Sequence, residues 1–195
     1  KLEDFEINKV YDGEYLIMNN VIVGSVCSRI FLKSFLDKYR LVFFPKILHQ
    51  DSEFTLRCFS LVKRMLFLDE VFYFYEFNEN SSTREKSYEK QKKSHLSLAQ
   101  ISANIRDFAN GNNVISEKLK RYLLRRVNSM IISQLLTYIL HSNPYKKQLI
   151  NDYLELSKSL NIYPIKGRSV RFYGNILIPI LNLESIYLYL TRIKK

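Results

Sequence analysis

Glycine and proline are scarce in this chain. There are 5 Gly and 4 Pro among 195 residues, against averages of roughly 7% and 5%. Tight turns depend on these residues for positive φ or a pre-set φ, so the scarcity argues against an all-β sandwich with many tight turns and for long helices. Hydrophobic residues make up 47% of the chain, enough for a packed core.

Apolar periodicity places the elements. Asp12–Asn20 reads as a short helix with an Asp cap, ended by the Asn pair. Val21–Val26 fits a short strand or a buried loop, and Ser28–Asp37 has apolar residues at helical spacing. Residues 50–64 carry Phe54, Cys58, Leu61 and Val62 on one face of an amphipathic helix. Met65–Leu68 and Val71–Phe77 are aromatic and aliphatic and predict two strands, followed by a polar loop over Asn78–Arg84.

From residue 85 the pattern is helical. One stripe is Leu98, Ile101, Ile105 and Phe108, broken at Asn110–Asn113. The next is Leu119, Leu123, Val127, Ile131 and Leu135, in a helix ending near His141. Asn143–Pro144 opens another, with Leu149, Ile150, Tyr153, Leu154 and Leu160. Pro164–Arg171 is a basic connector, and Ile176–Ile193 predicts a final helix bent at Pro179. The expected class is α+β, mostly α-helical.

Charge divides the chain at the same place as the pattern. Residues 1–83 carry 10 Lys and Arg against 12 Asp and Glu; 84–126 carry 11 against 4, and 127–195 carry 9 against 3. A basic back suits an anionic partner, a membrane surface or a nucleic acid, or is simply a solvated helix face. Lys118, Arg121, Arg125 and Arg126 share one face of their helix, opposite Leu119, Tyr122 and Leu123. Most Tyr and Phe fall in apolar stripes instead of among the basic residues, which disfavours nucleic acid.

Cys27 and Cys58 stand in no metal or redox spacing, and Cys58 lies on an apolar face, so a buried thiol is expected there. His49, His95 and His141 are far apart in sequence and predict no metal site. The opening KLEDFEINKVYDG lacks the apolar core of a secretory leader. The stretch Ile176–Leu190, interrupted by Pro179, Asn182 and Glu184, is too short and polar to span a bilayer. A cytoplasmic location is the expectation.

The densest polar cluster is His49-Gln50-Asp51-Ser52-Glu53, which follows Phe43-Phe44-Pro45 and opens a helix. Carboxylates there commonly serve the helix dipole. Taken with GSVCSRIFLKSFL upstream and the run on to NENSSTR, however, the region resembles the bacterial family-2 glycosyltransferases of the GT-A fold. The matching stretches are Ser28–Leu36, Phe44–Phe54, Tyr73-Phe74-Tyr75 and Ser81-Ser82-Thr83.

The resemblance implies that residues 1–84 are the acceptor-side remnant of a GT-A domain and that 85–195 are a basic helical extension forming a bundle. It implies an inverting glycosyltransferase of hexosyltransferase type, acting in bacterial surface polysaccharide or glycolipid synthesis. Asp51 would be the general base. His49, Gln50, Glu53, Ser28 and Arg29 would surround the acceptor. A nucleotide-sugar donor and a divalent cation, Mg or Mn, would be held by a donor half containing an Asp-x-Asp motif. This chain has no such motif and no Gly-rich βα turn, so it is expected to be a C-terminal fragment, inactive alone. The acceptor would be a glycan or a lipid-linked sugar, and the resemblance implies peripheral contact with the inner membrane face.

The chain also departs from the family pattern. Gln50 replaces the first acid of a Glu-Asp pair, Ser28 and Arg29 replace Asn and Lys, and Glu76 replaces an Arg after the paired tyrosines. The alternative expectation is a non-catalytic helical module, binding an anionic membrane surface or a protein, attached to a degenerate transferase remnant. A homodimer formed over exposed apolar surface is a third.

Overall fold

The computed structural model describes residues 6–21, 25–76 and 87–192. Eight helices occur among them: α1 (Gly13–Met18), α2 (Lys33–Lys38), α3 (Gln50–Leu61), α4 (Tyr88–Gly111), α5 (Glu117–Leu140), α6 (Lys146–Ser159), α7 (Phe172–Leu181) and α8 (Glu184–Arg192). The fold is mostly α. The expected Asn78–Arg84 loop, the Ser81-Ser82-Thr83 match and the sequence boundary at 84 fall at or within residues 77–86, outside the described residues. So does the middle of Val21–Val26.

The back is built as its periodicity requires. Leu119, Leu123, Val127, Ile131 and Leu135 are all buried along α5. Ser116 caps that helix by accepting from the Leu119 N–H at 3.0 Å. On α4, Ile101 and Ile105 alternate with Ala99, Ala103 and Ala109, whose small side chains let α5 and α6 lie close. Leu149, Ile150, Tyr153 and Leu154 of α6 face α4, and Tyr88 of α4 donates to Asp152 of α6 at 2.5 Å.

The front packs on this frame. In α1 the Asp12 carboxylate accepts from the Glu14 N–H at 2.8 Å, and the buried Leu16 and Ile17 follow. α1 lies against α3 and α5, and α3 lies against α4. α3 is buried from Glu53 to Leu61, so it is a central element and not a surface amphipath.

Gly13 sets the α1–α3 approach. A Cβ there would stand 2.0 Å from the Phe59 carbonyl oxygen and 2.6 Å from Val62 Cγ1. The first obstacle is helix backbone, which cannot yield without moving α3. Gly13→Ala is therefore expected to cost about 2–3 kcal/mol, overpacking exceeding the better helix propensity. The midpoint of urea unfolding reads this directly; an unchanged midpoint would disprove the close approach.

Three expectations need correction. First, 65–76 do not form two strands. Tyr11 and Met65 make a single antiparallel bridge, with Asn8 N–H to Phe67 O at 2.9 Å beside it. Beyond it, residues 68–76 run on with no partner strand among the described residues. Strand propensity without a neighbour to take the N–H and C=O groups makes no sheet. The α/β half of the expected class is thus not seen among these residues.

Second, the helix expected over Ser28–Asp37 begins only at Lys33. Before it the side chains alternate. Ile30 and Leu32 are exposed, whereas Arg29 lies over the Phe59 ring at 5.2 Å and Phe31 meets Phe54 edge-on at 5.6 Å. That is an extended period of two.

Third, the final helix is two helices, parted at Asn182-Leu183, while Pro179 stays inside α7. The Asn182 side chain explains the break. It accepts from the Ile165 N–H at 2.8 Å and donates to the Ile165 carbonyl at 2.9 Å. Tyr163 and Tyr187 hydroxyls both donate to the Leu181 carbonyl, at 3.0 and 2.6 Å.

Candidate functional site

The polar cluster sits where α3 begins, pressed against α4. His49 is the N-cap residue and adopts a left-handed conformation, φ 59° and ψ 25°. Non-glycine residues pay for that geometry, and α4 holds it in place. His49 Nε2 is 2.9 Å from Ser94 Oγ, and the Leu48 N–H donates to Ser97 Oγ at 2.9 Å. Ser97 in turn donates to the Lys93 carbonyl at 2.7 Å.

Asp51 follows in the first turn of α3, near the positive end of its dipole. It is half-buried, and among the described residues no hydrogen bond or ion pair reaches it. Arg29 is the nearest influence of opposite charge. Burial lowers the Arg29 pKa, whereas Cys58 and Asp51 nearby favour its charged form. Arg29 is half-buried and Ser28 exposed, both on the segment leading to α2; Gln50 is exposed on α3.

Glu53 differs from its neighbours. It is fully buried and clamped by Arg57 one helical turn on, with Nε to Oε1 at 2.5 Å and Nη2 to Oε2 at 2.9 Å. Arg57 also donates to the Val42 carbonyl at 2.7 Å and lies over the Phe44 ring at 5.1 Å. Burial raises the Glu53 pKa above its ordinary value, against the opposing pull of Arg57. Glu53 therefore faces the protein interior, where it holds the Arg57 that anchors the 42–44 loop, while His49, Gln50 and Asp51 stand together at the start of α3 and Ser28 and Arg29 lie on the separate segment before α2.

The carboxylates do not fit a divalent cation. Glu53 is already neutralised by Arg57, and among the described residues no three of His, Cys, Asp and Glu come together.

Three residues around the site escaped the sequence reading. Arg57 had a visible signal, its four-residue spacing from Glu53. Ser94 and Ser97 had none beyond lying one turn apart on α4. The two cysteines are also near: Cys58 is buried on α3, and Cys27 is exposed beside Tyr73, raising the phenol's pKa. Burial pushes the Cys58 thiol up to about 12. Near pH 8 a thiol-directed alkylating reagent is thus expected to label Cys27 alone in the native protein, and both after denaturation. Native labelling of Cys58 would contradict the packing of α3.

In comparisons with protein-family models, curated proteins and solved structures, nothing matches this chain.

Proposed function

We propose that this chain is the acceptor-side part of a nucleotide-sugar-dependent inverting glycosyltransferase, with Asp51 as general base. The observation that carries the reading is the state of Asp51: a half-buried carboxylate on a rigid helix start, with no hydrogen bond or ion pair among the described residues. Its lone pairs are open to an incoming hydroxyl.

In the proposed step Asp51 accepts the proton of the acceptor hydroxyl, whose oxygen bonds to the anomeric carbon. The bond from that carbon to the diphosphate breaks, and the diphosphate leaves with the electron pair. An unassisted hydroxyl is a poor nucleophile, so a positioned base is the main chemical requirement. The resemblance assigns Arg29, Ser28, Gln50 and His49 to the acceptor, where they would supply donors and acceptors for the sugar hydroxyls. The order of the matching stretches from Ser28 to Tyr75 supports the same reading.

Two experiments test it. The coding sequence upstream of Lys1 should specify a nucleotide-binding half with an Asp-x-Asp motif; a natural start at Lys1 would sink the enzyme reading. The protein carrying that half should transfer sugar from a panel of nucleotide sugars to glycan or lipid-linked acceptors, read by mass spectrometry. Absence of any transfer across the panel would count against it.

A further inference from the structure

Away from Asp51, on the basic back, a cleft of about 460 Å³ opens between α5, the 166–171 connector and the first turn of α7. Arg126, Arg171, His141, Tyr122 and Tyr173 line it, together with serines, and no Asp or Glu does. Arg126 is half-buried, and among the described residues it has no hydrogen bond or ion pair. Arg171 donates to its neighbour Tyr173 at 2.6 Å. The start of α7, which no side chain caps, adds the positive end of its dipole.

Beside the cleft lies an apolar ridge. Phe172, Tyr173, Ile176, Pro179 and Ile180 occupy one exposed arc of α7, with Phe172 79% and Ile176 60% accessible. The opposite arc, Gly174, Ile178 and Leu181, is buried. Gly174 lets the helix lie tight, since a Cβ there would be 2.4 Å from Ser169 Oγ and 3.1 Å from Ile132 Cδ1. The ridge is therefore fixed outward, and Lys166, Arg168 and Arg171 flank it, all exposed.

We infer that α7 and this cleft form a docking site for an anionic phospholipid surface. The ridge enters the boundary between headgroups and acyl chains, and Arg126 and Arg171 receive a lipid phosphate. Charge complementarity selects the occupant. Two arginines with no carboxylate in the lining call for a phosphate, which guanidinium groups bind in fork geometry. An exposed apolar ridge beside the cleft calls for hydrocarbon. A nucleic acid would satisfy the arginines and leave Ile176 and Ile180 in water. The inference does not depend on the transfer chemistry at Asp51, and its test needs no sugar substrate.

The test is co-sedimentation of the full chain with phosphatidylcholine vesicles, with and without phosphatidylglycerol. Binding is expected only to the anionic vesicles, and to weaken as salt rises. Arg126→Ala with Arg171→Ala should weaken partitioning about 30-fold. Ile176→Ser with Ile180→Ser should weaken it at least about tenfold. Melting curves establish that both double variants are folded. The chain contains no Trp, so Ile176→Trp gives a single emitter that keeps the ridge apolar; its emission should shift to the blue on anionic vesicles. No binding to anionic vesicles at low salt overturns the inference. So does wild-type binding by either double variant, an unshifted Trp emission, or binding of single-stranded RNA without vesicle binding.

Discussion

Asp51→Asn is expected to lower the transfer rate by about 10²–10⁴-fold, the usual contribution of a positioned base. Asn has the same shape and can still hydrogen-bond the acceptor, but it cannot take the hydroxyl proton. The fold should barely notice. Asp51 has no hydrogen bond or ion pair among the described residues, so the substitution forfeits its interaction with the helix dipole, about 0.3–1 kcal/mol, and a longer-range attraction to Arg29. A rate assay at saturating acceptor, paired with a melting curve, separates the two effects. Unchanged activity would remove Asp51 as base. A loss matched by unfolding would make it a structural residue.

Arg57→Met is expected to do the reverse and cost about 3–5 kcal/mol of stability, because it strands a buried carboxylate. The loss should depend on pH, and the sign follows from Glu53. Its folded pKa lies above the ordinary 4.5, burial outweighing the attraction of Arg57. Protonated Glu53 thus favours the folded state below about pH 4.5, and this advantage is lost as pH rises through the folded value. Removing Arg57 raises that value further. The gap between variant and wild type should be widest at neutral and alkaline pH and narrow as pH falls through the raised folded value of Glu53, which takes a proton in the variant first. Replacing Glu53 as well, as Glu53→Leu with Arg57→Met, should recover most of the loss, since an apolar pair can replace a buried ion pair. Urea unfolding at two pH values checks all three statements. A loss that stays constant with pH would show that Glu53 is not the group left stranded.

The helical frame was legible because period 3.6 survives any tertiary arrangement: the α5 stripe from Leu119 to Leu135 is buried residue for residue. Elements whose form depends on a neighbour were not legible. Val71–Tyr75 has strand propensity, yet no partner strand lies alongside it among the described residues. Ile30 and Phe31 extend the helical spacing of Phe35 and Leu36, and only the rings of Phe54 and Phe59 show that the segment before Lys33 is extended and which residues turn inward. The break at Asn182 rests on a side chain reaching back to Ile165, a contact that local spacing does not record. At the site, the position of Asp51 in the first turn of α3 was readable, whereas the pairing of Glu53 required weighing a four-residue Glu–Arg spacing against a motif. The anchoring of His49 by α4 lay about 45 residues away in the chain and was out of reach.

That anchoring bears on mechanical tolerance. The left-handed turn at His49 is gripped through Ser94 and Ser97, so the aim of the Asp51 carboxylate is indexed to α4 and not to the loop that precedes it. Proton transfer tolerates little misplacement, about 1 Å being enough to cost a hundredfold in rate. A small slide of α4 along its axis would then detune the base from a distance, through a helix none of whose residues needs to touch a sugar.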